Sequence, residues 1–143
     1  MTLSEVEAFF ETFSTHIPEI KQVVFGDEEA IANRQSSNII YPCMWVETPF
    51  VTPISDPPSK ILRYQITFLK NVSRQNEKDE RAARSMTLTI AEKAWALIEA
   101  GEEQGLFEFL RNQDEGEPIL KYSGDNDTGW QFTARLRVGG DAC

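Results

Sequence analysis

From Trp130 to Val138 the chain alternates without a slip. Trp130, Phe132, Ala134, Leu136 and Val138 fall on one side, Gln131, Thr133, Arg135 and Arg137 on the other. Successive side chains of a strand point to opposite faces, so this stretch reads as a strand with one dry face and one wet face. Such a strand needs a sheet to pair with and a layer to cover its apolar side. Residues 61–72 repeat the pattern, with Leu62, Tyr64, Ile66 and Phe68 opposed to Arg63, Gln65 and Thr67. The covering layer is available in residues 77–100, where Ala83, Met86, Ile90, Ala94 and Leu97 share one helical face, with Ile98 beside them and Trp95 at the margin. Gly101 reads as the stop of that helix.

Other elements follow from the same rules. Ser4 with Glu7 three residues later makes a capping-box signature, and Val6, Phe9, Phe10, Phe13 and Ile17 then recur at helical spacing until Pro18. Ile20 to Phe25 is a short apolar run closed by Gly26, after which Asp27 is placed to cap a short helix through Ala32. Residues 39–47 are apolar on both alternating faces, as in a strand covered on both sides, with Pro42 near an edge or the strand start. Pro49, Pro53, Pro57 and Pro58 make residues 48–60 read as a stiff extended loop between two strands. Leu106, Phe107, Phe109 and Leu110 form a short amphipathic piece after Gly105, read as a short helix. Residues 118–122 and 130–138 form a hairpin around a polar turn. The expectation is an α+β fold, a four-stranded mainly antiparallel sheet with helices on one face, in the order α-(α)-β-β-α-α-β-β. A chain of 143 residues is one domain, 1–143, with 139–143 as a short flexible tail.

Charge and residue chemistry narrow the function. The chain carries 14 basic and 23 acidic residues for a formal −9. Residues 99–127 hold nine acids against two bases, or −7 of that total, while residues 60–93 hold eight bases against four acids. Such a chain is a poor general binder of nucleic-acid backbones, whereas regions of opposite sign can steer copies onto each other or onto a partner protein. There is a single histidine, His16, with no nucleophile elbow, and no phosphate-cradling glycine loop of either common form. Asp125-Asn126-Asp127 begins like a calcium loop, but Leu136 stands where the twelfth-position glutamate belongs, so the match fails. Cys43 and Cys143 are far apart and build no CxxC motif. Neither catalytic residues, nor a metal site, nor a cofactor are expected. The acidic start and the absence of a long apolar run point to a cytosolic residence rather than a membrane.

Taken as a layout, the chain resembles the tail-terminator and tail-completion (minor tail) proteins of long-tailed bacteriophages and prophages. The likeness lies in a helix led by Leu3-Ser4-Glu5, a strand pair joined by a long loop, and a basic strand running into the long helix 77–100. It ends in the Tyr122-Ser123-Gly124-Asp125 … Gly129-Trp130-Gln131-Phe132 hairpin. The resemblance implies an α+β subunit that forms a ring, typically a hexamer. That ring caps the tail tube, stops its polymerisation and meets the head connector. It would assemble in the host cytoplasm, end in the virion tail, and let DNA pass through without binding it specifically.

The residues picked out as contacts to a neighbouring subunit or partner are Arg63, Lys70, Arg135 and Arg137, for their charge, and Pro53 and Pro57, for a stiff loop that loses little entropy on docking. Two other readings stay open at this level. One is a protein-binding adaptor acting through the acidic segment 99–127. The other is a small-molecule-binding α+β domain with a pocket lined by Trp45, Tyr64 and Trp130.

Overall fold

The computed structural model describes residues 1–26, 40–55, 58–71, 77–110, 117–122 and 127–139. Helices α1 (Leu3–Glu11) and α2 (Phe13–His16) lead into strands β1 (Gln22–Phe25), β2 (Cys43–Val46), β3 (Phe50–Ser55) and β4 (Pro58–Asn71). The long helix α3 (Glu77–Glu103) follows, then β5 (Glu108–Leu110), β6 (Glu117–Tyr122) and β7 (Asp127–Gly139).

The two alternating stretches of sequence are the spine of the sheet. β4 and β7 pair antiparallel without interruption from Ser59↔Gly139 to Asn71↔Asp127, a ladder on the order of 40 Å long at ~3.3 Å per residue. β2 and β3 share the outer side of β4, β2 against residues 66–69 and β3 against residues 58–63. β6 and β5 likewise share the outer side of β7. β1 adds to β2 in parallel.

The class is α+β, but the expected four-stranded, mainly antiparallel sheet is wrong. Among the described residues the sheet has seven strands and is mixed. Each miss has a physical reason. β1 is a short apolar run that periodicity cannot separate from a buried helix turn. β3 occupies part of the proline-rich stretch read as a loop, because proline is tolerated where no ladder donor is needed: Pro53 sits in an edge strand and Pro58 opens β4. β5, read as a short helix, is only three residues long, with Phe109 buried opposite Leu136.

The core lies between the sheet and helices α1, α2 and α3. Leu62, Tyr64, Ile66 and Phe68 of β4 and Phe132, Ala134, Leu136 and Val138 of β7 meet Ile90, Ala91, Ala94 and Ile98 of α3 and Val6, Phe10 and Phe13 of α1 and α2. Ala83 and Ala94 leave room for α3 to approach the strands. Gly101 does not stop the helix, which runs on to Glu103. It is buried, and a Cβ there would sit 2.7 Å from the Phe107 ring and 3.0 Å from the Phe9 ring. Gly105, with φ +80, makes the turn beyond the helix instead. The capping box also falls two residues earlier than read. Thr2, not Ser4, is the N-cap, and it exchanges hydrogen bonds with Glu5. On the opposite face of the sheet, Cys43, Trp45 and Leu69 pack together beside Tyr41, and Trp45 Nε1 donates to the Gly26 carbonyl at 2.8 Å. β7 ends at Gly139, and residues 140–143 of the expected tail lie outside the described residues. The helix proposed from Asp27 to Ala32 lies outside the described residues. No helix among the described residues is long and apolar enough to cross a membrane.

Candidate interaction surface

Because β4 and β7 pair in unbroken register, the polar half of each alternation lands on the sheet face turned away from the helices. Arg63 stands directly opposite Arg135, Gln65 opposite Thr133, and Ile61 opposite Arg137. The rows continue onto the outer strands. Phe50 of β3 lies opposite Arg63, and Leu110 of β5 opposite Arg135, so one line across four strands reads Phe50, Arg63, Arg135, Leu110. The next line reads Thr52, Ile61, Arg137, Glu108.

This face is an open, shallow depression of about 540 Å³ bounded by Phe50, Thr52, Ile61, Arg63, Leu110 and Arg135. A smaller one of about 270 Å³ adjoins it, lined by Glu47, Thr48, Gln65 and Thr133 as well as Phe50 and Arg63. Phe50 is 69% exposed and Val51 52%, far more than apolar residues of a covered sheet. The Arg63 guanidinium rests 4.6 Å from the centre of the Phe50 ring, a cation–π contact that holds both side chains over the depression. Arg137 Nε donates a long hydrogen bond, 3.4 Å, to Ser59 Oγ. Among the described residues no acid pairs with Arg63 or Arg135. Like charges at directly opposed sheet positions cost about 0.2–1 kcal/mol relative to neutral pairs.

The helical layer on the other side of the molecule is acidic. α1 carries Glu5, Glu7 and Glu11 with no lysine or arginine. From residue 92 to 103, α3 carries Glu92, Glu99, Glu102 and Glu103 against Lys93 alone, and Lys93 is paired with Glu19. That pairing holds the Glu19 carboxyl below the usual carboxylate range. Glu102 turns inward, where its Oε2 accepts the Phe109 amide at 2.7 Å and ties β5 to the end of α3. Glu92 and Glu103 remain exposed.

The residues picked from the sequence separate into two groups. Arg63, Arg135 and Arg137 come together on one face. Lys70 does not join them: it has the opposite strand parity from Arg63 and lies seven residues along β4, ~23 Å away at 3.3 Å per residue. Pro53 is exposed on β3 opposite Lys60, with the other parity again. Pro57 lies outside the described residues. The suggested pocket of Trp45, Tyr64 and Trp130 is not formed. Trp45 packs on the face away from the helices, Tyr64 is buried against Phe10, and Trp130 Nε1 donates to the Arg84 carbonyl at 2.7 Å. Phe50, Val51 and Leu110 were missed, since the prolines hid β3 and the shortness of β5 hid Leu110. Their signal was the register itself, which becomes visible only once the strands are paired. His16 is exposed at the end of α2, and among the described residues no group of three or more acidic, histidine or cysteine side chains is placed to hold a metal ion.

No protein-family model matches this chain, and no curated protein sequence matches it.

Proposed function

We propose that this chain is a structural subunit of a virion assembly, a tail-terminator-like protein whose copies join head to tail into a ring that caps a tail tube and meets the head connector. The observation that carries the reading is the separation of charge across the two layers: an acidic helical surface on one side, and the arginine row Arg63–Arg135 with exposed Phe50 on the other. Two different, complementary faces on opposite sides of one subunit favour heterologous contacts, which close into a ring when the rotation per step permits. The open depressions, wide and without a gripping set of polar groups, suit a protein surface better than a small metabolite. DNA would pass through such a ring without being held, because a chain of net −9 repels a polyanion overall.

Solution mass tests this reading. Light scattering coupled to size-exclusion chromatography at tens of micromolar, with negative-stain imaging, is expected to give a multi-copy annular particle. Adding the chain to polymerising tail-tube protein is expected to stop tube growth. A monomer that leaves tube growth unchanged overturns the reading and favours the adaptor alternative.

A further inference from the structure

We infer that the row Phe50–Arg63–Arg135 is the receiving half of the contact between copies, and that its occupant is the outer stripe of α3 of the next copy, anchored by Glu92 and Glu103. This rests on the assembly reading above and specifies its interface.

Arg63 and Arg135 stand side by side, and among the described residues no acid separates them. A carboxylate seated between the two guanidinium groups converts a repulsive pair into two charge-assisted hydrogen-bonded contacts. The occupant is therefore anionic.

It is also discontinuous in charge. Glu108 lies opposite Arg137, and Glu47 lines the same depression as Arg63, so the positive row is short and flanked by acids. A nucleic-acid backbone, with a charge about every 1.7 Å, needs a longer uninterrupted track. A few carboxylates at fixed spacing match better.

α3 presents that pattern. Leu88, Glu92, Ala96, Glu99 and Glu103 follow at steps of four, four, three and four, so they line one side of the helix. Arg63 and Arg135 stand on neighbouring strands, ~5 Å apart, while Glu92 and Glu103 are ~16 Å apart at 1.5 Å per residue, so one glutamate seats between the arginines and the other lies past the edge of the row, where it adds to the attraction. Ala96 between the acids lets a flat sheet face approach closely. Leu88, 38% exposed, is the apolar residue at one end of the stripe, and Phe50, 69% exposed, is the one at one end of the row. Within one subunit α3 lies on the far side of the sheet from the arginines, so the two halves meet only between copies, and they do so head to tail.

Charge reversal with rescue tests the inference by sedimentation velocity. Arg63→Glu with Arg135→Glu is expected to weaken self-association at least tenfold, with circular dichroism unchanged. Glu92→Lys with Glu103→Lys, both at exposed helix positions that leave folding intact, is expected to do the same. The chain carrying all four changes is expected to regain association, because the pairs are restored in swapped order. Unchanged association in either double variant, or failure of the fourfold variant to recover, overturns this interface while leaving the ring reading standing. A wild-type chain that never self-associates overturns both. Binding of a DNA duplex that is lost in the arginine variant assigns the row to nucleic acid and likewise overturns the inference.

Discussion

Gly129 lies so close to the backbone of Phe68 that a Cβ on it would sit 1.7 Å from the Phe68 carbonyl oxygen. Gly129 pairs with Leu69 on one side and Ile119 on the other, so neither neighbour is free to withdraw. The residue is required here for space, because the obstacle is main chain rather than a side chain that can rotate away. Gly129→Ala is therefore expected to destabilise by about 3 kcal/mol or more, the upper end for overpacking. A urea unfolding midpoint within error of the wild type would show that the spine accommodates the methyl group.

Tyr64 carries a different kind of cost. Its side chain is buried against Phe10, and its hydroxyl has no hydrogen-bond partner among the described residues. Burial, with a smaller contribution from the Glu7 carboxylate, pushes its pKa well above the usual tyrosine range. A raised folded pKa in an acid means that the neutral form is favoured on folding. That contribution is whole below about pH 10 and fades as pH climbs through the folded value. Tyr64→Phe keeps the ring contacts and removes the unsatisfied oxygen, so a gain of about 1 kcal/mol is expected, together with a shallower loss of stability above pH 10. A variant less stable than the wild type at pH 7 would mean that the hydroxyl has a partner after all.

How far the chain could be read before folding depends on where each signal lives. The strands whose alternation is local, around Leu62–Phe68 and Trp130–Val138, were legible, as was the stripe that turns α3 toward them. What failed was everything whose meaning comes from a partner. Pro53 argues against a strand until it is known that β3 needs donors on one side only. Phe109 looks helical beside Leu106 and Phe107 until Leu136 is found opposite it. The three arginines were picked for charge and do share a face, yet Lys70, picked for the same reason, does not, because seven residues reverse the parity of a strand. The Phe50–Arg63 contact required a register between a strand that was recognised and one that was not.

The N-terminal helix offers a pH-dependent check. The Thr2 amide donates to Glu5 Oε1 and the Glu5 amide to Thr2 Oγ1, both at 3.2 Å. The amide bond to the carboxylate, followed by the Thr2 hydroxyl, holds the Glu5 carboxyl below its ordinary range. A depressed folded pKa stabilises above the ordinary value near 4.3, and the contribution is lost as pH falls through the folded one. In an NMR titration, Glu5 is expected to titrate below the ordinary glutamate range, and Thr2→Ala to bring it part of the way back. A wild-type Glu5 that titrates in the ordinary glutamate range would show that the box is open in solution.

Glu102 fixes the short edge strand. Its carboxylate accepts the Phe109 amide from seven residues away, and β5 has only three residues with which to hold itself against β7. Glu102→Ala removes a charge-assisted bond of about 1.5–3 kcal/mol. The loss is expected to be local: hydrogen exchange at Phe109 and Leu110 accelerates more than tenfold, while exchange in the middle of β4 changes little. Uniform acceleration across the sheet would mean that β5 is part of the global folding unit.

Phe10 and Phe50 separate the requirements of the fold from those of the proposed assembly. Phe10 is fully buried, edge to face with Phe13 and Tyr64, so Phe10→Ala is expected to cost about 3–5 kcal/mol. Phe50 is 69% exposed and touches the Arg63 guanidinium, so Phe50→Ala removes little buried area and is expected to cost about 0.5 kcal/mol or less. On the interface proposed above the order is expected to reverse, because an exposed aromatic beside an arginine is the kind of residue that anchors a contact. Phe50→Ala is expected to keep the wild-type unfolding midpoint and lose copy-to-copy binding at least tenfold, measured by sedimentation at fixed salt. Intact association in that variant would place the anchor of the assembly elsewhere on the surface.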